Sequence, residues 1–214
     1  MSTTQSVGEL VRQAQAGDKA AFAQLTIRYR ARIVALCLHI SGNASEAEDI
    51  AQEVFLNCYL KISSFEGRSH FFTWLYRMAV NRSLNARRSK NRRQQRVILD
   101  PRIDRAVAVD ARQNPALAIE MRRLYAHLLE ALDDLPDDMC ASVVLVFLQG
   151  LSHKEAAAIL GCNTKTIAWR IHKSRKKLRE ARLQYLREGA TKTDETGTVD
   201  VLAQLRASLR LTPV

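Results

Sequence analysis

The chain has 214 residues, 47% hydrophobic and 26% charged, a composition that suits one or two ordinary globular domains with their own cores. Lys and Arg number 33 against 22 Asp and Glu, a formal charge of +11, which points to a polyanionic partner, nucleic acid before a membrane surface. The longest apolar stretch, "IVALCLHI" at 33–40, falls far short of the roughly 20 residues needed to cross a bilayer, so no membrane insertion is expected.

The opening segment, "MSTTQSVGEL", has neither the basic segment nor the apolar core of a secretory signal, and a cytoplasmic location follows as the expectation. From Gly17 to Ile40, Phe22, Leu25, Tyr29, Ile33, Leu36 and Ile40 recur at spacings of three and four, the signature of one or two amphipathic helices. The "SEAE" stretch predicts the next helix, with Ser45 and Glu48 as a capping box. Behind it Ala47, Ile50, Ala51, Val54, Cys58 and Ile62 make one apolar stripe. A third helical stretch is predicted from near Ser69. Between Glu66 and Asp100 there is no acid and there are nine Lys or Arg, from Arg68 to Arg96. Phe71, Trp74, Leu75 and Met78 have core spacing, so the basic residues of this stretch, rather than its rings, point to nucleic acid.

Past Arg96, "VILDPRIDRAVAVDARQNP" holds Pro101 and Pro115 and no sustained period, the composition of an interdomain linker. Helical periodicity resumes in "ALAIEMRRLYAHLLEALDDL", restarts near Pro136 with Asp137 and Asp138 in a first turn, and stops at Gly150. The Gly/Thr-rich segment after residue 187 reads as a flexible tail with a short apolar pattern from Val201 to Leu209. Cys37, Cys58, Cys140 and Cys162 form no CxxC pair, so they are read as small core residues, and neither metal nor cofactor is expected.

The most informative stretch is "LSHKEAAAILGCNTKTIAWRIHKSRKKLREARL". Ser152 and Glu155 form a capping box, Gly161 supplies the positive φ that a sharp helix exit requires, and Thr164 is placed to cap the next helix. Helix, glycine turn and second helix make a helix-turn-helix. In the second helix Ile167, Ile171, Ser174 and Leu178 share the inward face. Lys165, Ala168, Trp169, His172, Lys173 and Lys176 are then left outward, with Arg170 on the flank. Such a helix lies in the major groove, where its first residues reach base edges and the surrounding cations neutralise phosphates.

Taken together, "AEDIAQEVFLNCYLKISSF", "FFTWLYRMAVNRSLNARR", "ALDDLPDD" and the helix-turn-helix resemble bacterial RNA polymerase sigma factors of the extracytoplasmic-function (ECF) type, over residues 8–95 and 118–183. The resemblance implies an all-α fold of two small helical domains joined by a linker: a region 2 bundle at 1–95, a linker at 96–117, a region 4 helix-turn-helix domain at 118–187 and a tail at 188–214. It implies a factor without catalysis of its own that binds core RNA polymerase and promoter DNA, with an anti-sigma protein as regulator. Asp49, Gln52, Glu53, Phe55 and Leu56 fall in the segment that docks on the polymerase. Arg77, Asn81, Arg82, Asn85 and Arg87 fall in the segment that opens and reads the −10 element, where an extruded base needs edge contacts to replace its lost stacking. Thr164, Lys165, Ala168, Trp169, Arg170, His172, Lys173 and Lys176 fall in the reader of the −35 element. A free-standing helix-turn-helix regulator and a metal-dependent nuclease using the carboxylates of 46–62 are the competing readings.

Overall fold

The structure, a computed structural model, describes residues 5–92 and 125–189. The predicted linker, most of the predicted tail and the basic residues Arg93 and Arg96 lie outside the described residues. All regular structure among the described residues is helical.

Helix α1, Val7–Gln15, starts where the Ser6 hydroxyl accepts the Glu9 amide at 3.3 Å, and it buries Leu10, Val11 and Ala14. The sequence reading did not separate this short helix. Helix α2, Lys19–Ser41, is capped by the Asp18 carboxylate, which accepts the Ala20 and Ala21 amides at 2.8 and 3.1 Å. It ends at Gly42, whose φ of +70° lies in the left-handed region that glycine adopts without strain.

Helix α3 is Ala44–Lys61, and its cap is Asn43, whose side-chain oxygen accepts the Glu46 amide at 2.9 Å. The predicted Ser45/Glu48 box is therefore corrected. The chain leaves Gly42 through an extended Asn43, so the helix has already begun when it reaches Ser45, and the Glu48 carboxylate instead accepts from Arg30 at 2.7 Å. The predicted apolar stripe is buried from Ala47 to Ile62, where a short 3-10 turn, Ile62–Ser64, follows. Helix α4, Phe71–Arg92, closes a bundle with α1, α2 and α3.

The second half comprises α5 over residues 125–133, α6 Asp137–Val143, α7 His153–Leu160 and α8 Thr164–Gly189. Helix α6 widens into a π-turn, Val144–Leu148, before the chain turns at Gly150 with a φ of +73°. Cys37, Cys58 and Cys140 are buried thiols, as the composition suggested; burial pushes the first two up to about 12 and the third to about 11.

The two helical halves are in contact. One continuous apolar core runs from Leu10 to Ile171, and α4 packs on both α6 and α7. Two cationic helices well apart on a bridge, the arrangement that a linker suggests, is thus not the one adopted here.

Candidate nucleic-acid interface

The helix-turn-helix is built by local rules. Ser152 accepts the Glu155 amide at 3.2 Å while the Glu155 carboxylate accepts the Ser152 amide at 2.8 Å, the full capping box. The Ser152 hydroxyl, donating to the Glu155 carboxylate at 2.6 Å, and then the Ser152 amide hold that carboxyl below its usual range, so it stays ionised at the start of α7, where the helix dipole favours a negative charge. Gly161 ends α7 with a φ of +64°. Asn163, one residue before the predicted cap Thr164, starts α8: its side-chain oxygen accepts the Thr166 amide at 2.7 Å and the Thr166 hydroxyl at 2.9 Å. Thr164 is the first helical residue and is exposed.

Ile167, Ile171 and Ser174 are buried, and Leu178 is packed against the same core. The opposite face presents Lys165, Ala168, Trp169, His172, Lys173 and Lys176 to solvent. Trp169 is 54% exposed, unusual for the largest apolar side chain and costly unless something covers it. Arg170 differs from its predicted neighbours. Its guanidinium is turned back to the Asp138 carboxylate at 2.6 Å, and the side chain is only 15% exposed, so it braces α8 against α6 in this arrangement.

Helix α4 divides in the same way. Asn81, Arg82 and Asn85 are exposed, and Arg82 is ion-paired with Glu53 of α3. Arg77 reaches the other half, donating to the Ala158 carbonyl at 2.6 Å and the Ile159 carbonyl at 3.3 Å. Arg87 is 2% exposed and donates to the carbonyls of Leu132 at 3.0 Å, Asp133 at 2.7 Å and Leu135 at 2.6 Å, with Asp137 Oδ1 at 3.1 Å from its Nε. Predicted as DNA-facing, Arg87 is withdrawn from solvent in this arrangement. Sequence periodicity could not find this, because its partners are mostly backbone carbonyls. Of the rings near the start of α4, Phe71 and Tyr76 are buried, and Phe72 and Trp74 are half-buried.

Of the predicted docking residues, Asp49, Gln52 and Leu56 are exposed, and Glu53 and Phe55 are half-buried. Leu56 at 59% and Leu60 at 66% exposure, with Tyr59 beside them, form an apolar strip on the outer side of α3. A cleft of about 690 Å³ lies between α1, the 65–70 loop and the start of α4, lined by Arg12, Phe65, His70 and Phe72, and by Glu155 from the other half. The sequence reading did not find it, and Asn81 does not line it. No described helix is long and apolar enough to cross a membrane.

Comparison with known proteins agrees with this division. Residues 25–93 match the family described as sigma-70 region 2, and residues 125–178 match sigma-70, region 4. The RNA polymerase sigma-H factor of Pseudomonas aeruginosa is 31% identical over 88% of this chain and 100% of its own length. The ECF RNA polymerase sigma-E factors of Haemophilus influenzae and Escherichia coli K12 are 33% and 32% identical, each over 78% of this chain and 89% and 88% of their own lengths. Among solved structures, the fold resembles CnrH in complex with the cytosolic domain of CnrY, with a TM-score of 0.61, 24% identity, and coverage of 80% of this chain and 93% of that one. It also resembles the sigma factor RpoE in complex with the anti-sigma factor NepR from Bartonella quintana, with a TM-score of 0.55, 25% identity, and coverage of 75% and 95%.

Proposed function

The chain belongs to the sigma-70 family of RNA polymerase sigma factors, of the ECF type, and from that premise we propose which of its surfaces does what. It acts as a sigma factor in promoter recognition and transcription initiation. We infer that the outer side of α3, with Asp49, Gln52, Glu53, Phe55 and Leu56, docks on core polymerase. Its exposed leucines beside acids suit an apolar contact with a charged rim.

Helix α4 reads and opens the −10 element through Arg77, Asn81, Arg82, Asn85 and Arg87. Helix α8 reads the −35 element. Lys165, Lys173 and Lys176 supply phosphate contacts, and Ala168 with Trp169 offers apolar surface that suits a thymine methyl. Phosphodiester chemistry is left to the core enzyme, and the factor works in the cytoplasm. A regulator of the anti-sigma kind covers these surfaces until a signal arrives, as NepR accompanies the Bartonella quintana factor in its solved complex.

The observation that carries this reading is the exposed cationic face of α8, set opposite a buried Ile167/Ile171/Ser174 face directly after a glycine turn. Its test is the salt dependence of promoter binding by the holoenzyme. Lys173→Ala should weaken binding across promoter sequences and lower the log-log salt slope by about one. An unchanged affinity and slope would remove Lys173 from the interface.

A further inference from the structure

Helix α8 is fastened along one flank and open on its outer face. The Arg170 guanidinium holds the Asp138 carboxylate at 2.6 Å and lies 3.8 Å from Cys162 Sγ in the turn that precedes α8. About two turns further along the same flank, Lys177 Nζ donates to the Asp134 carbonyl at 3.0 Å. Asp134 and Asp138 lie on either side of the corner between α5 and α6, so the angle of α8 against the core is set at two points.

That bracing decides which side chains remain for bases. Guanine is read best by the paired donors of an arginine, and adenine by the side-chain amide of Asn or Gln. Two such planar forks stand near the start of α8, and both are engaged. Arg170 is on Asp138, and Asn163 Oδ1 accepts the Thr166 amide and hydroxyl at 2.7 and 2.9 Å. Arg175 and Arg179 stand about three and four turns along the helix, beyond the stretch whose side chains reach base edges. Lys165 is a compact charge on a flexible stem and specifies less than a fork does. At the centre of the reading stretch are the Ala168 methyl and a Trp169 ring that is 54% exposed. The thymine C5-methyl is the apolar group that the major groove offers such a surface, and covering it with an indole removes apolar area from water on both sides.

We propose that Trp169, with Ala168, is the specificity-determining residue of α8, reading thymine through its methyl group. Arg170 is a positioning residue that sets the pitch of the helix through Asp138 and leaves the phosphates to the lysines. The inference rests on the reading of α8 as the −35 helix.

The test is holoenzyme binding to a promoter duplex taken from the start sites that the holoenzyme itself uses. Each thymine of the −35 element, on either strand, is replaced in turn by deoxyuridine, which deletes the methyl and keeps every hydrogen-bonding group. For the unmodified chain at least one replacement should weaken binding ~4-fold, the effect of one buried methyl. Trp169→Ala should bind the thymine and uracil duplexes equally. Uracil tolerated at every position, or a uracil effect that persists in Trp169→Ala, overturns the methyl readout. For the brace, Arg170→Ala and Asp138→Asn should weaken binding alike, each with an unchanged log-log salt slope. A slope lower by about one in Arg170→Ala alone would make Arg170 a phosphate contact and overturn its positioning role. Binding indifferent to scrambling of the whole element would overturn the −35 reading, and the inference with it.

Discussion

Helices α4 and α8 both carry runs of Arg and Lys over an apolar face, yet the fold uses those cations differently. On α8, Lys165, Lys173 and Lys176 point to solvent around a half-exposed Trp169, while Arg170 is turned to Asp138 and Lys177 donates to the Asp134 carbonyl at 3.0 Å. On α4, Arg77 and Arg87 close on backbone carbonyls of the other half, Arg82 on Glu53, and Arg88 on Asp137. A charge run therefore marks a nucleic-acid surface only where nothing inside the molecule competes for its hydrogen bonds. Helix C-termini and first-turn acids compete well for arginine.

The contrast can be broken most severely from the buried side of α8. Ile167→Asp places a carboxylate at a fully buried position and should cost more than about 4 kcal/mol, unfolding the helix-turn-helix. A denaturation curve of the variant should show that loss, whereas a curve overlying the wild type would mean that Ile167 is not core.

Next in size is the seam beside α4. Burial holds His39 down to about 4, below its ordinary value near 6.5. The native state thus keeps His39 neutral while the unfolded state takes up a proton. The stability that this provides is complete above about pH 6.5 and falls by up to ~3 kcal/mol as pH drops towards 4. Across that window the urea midpoint of the wild type should fall relative to that of His39→Leu, since the variant lacks the proton uptake. Parallel curves would show that His39 is solvated.

Smaller effects separate architecture from contact. Gly161→Ala meets no atom within 4 Å of the added Cβ, so its whole cost is the left-handed backbone, about 1 kcal/mol, readable as a lower melting temperature. Lys173→Met should change stability by less than about 0.5 kcal/mol, because exposed positions away from caps and cores are tolerant. A clear loss of melting temperature would place Lys173 in the fold rather than on the DNA surface.

What was legible in the sequence follows the range of the interactions concerned. The helix-turn-helix could be read residue by residue because a capping box, a left-handed glycine and an i, i+4, i+7 stripe are all local. The caps of α3 and α8 were misplaced by one or two residues, since Asn43 and Asn163 stand beside Ser45 and Thr164 as competing acceptors and only the chain path out of the preceding turn decides between them. The inward turn of Arg87 had no local signal. Its main partners, the carbonyls of Leu132, Asp133 and Leu135, are backbone atoms more than 40 residues away. The cleft at the start of α4 was missed for the same reason, as α1, the 65–70 loop and Glu155 meet only in three dimensions.

The most direct measurement is transcription by core RNA polymerase on fragmented genomic DNA, with and without the purified chain, reading the 5′ ends of the transcripts by sequencing. Addition of the chain should create a defined set of new start sites preceded by two shared elements, and the Lys165→Ala/Lys173→Ala variant should lose most of them. Identical start sites with and without the chain, together with failure to co-purify with the polymerase, would contradict its role in initiation.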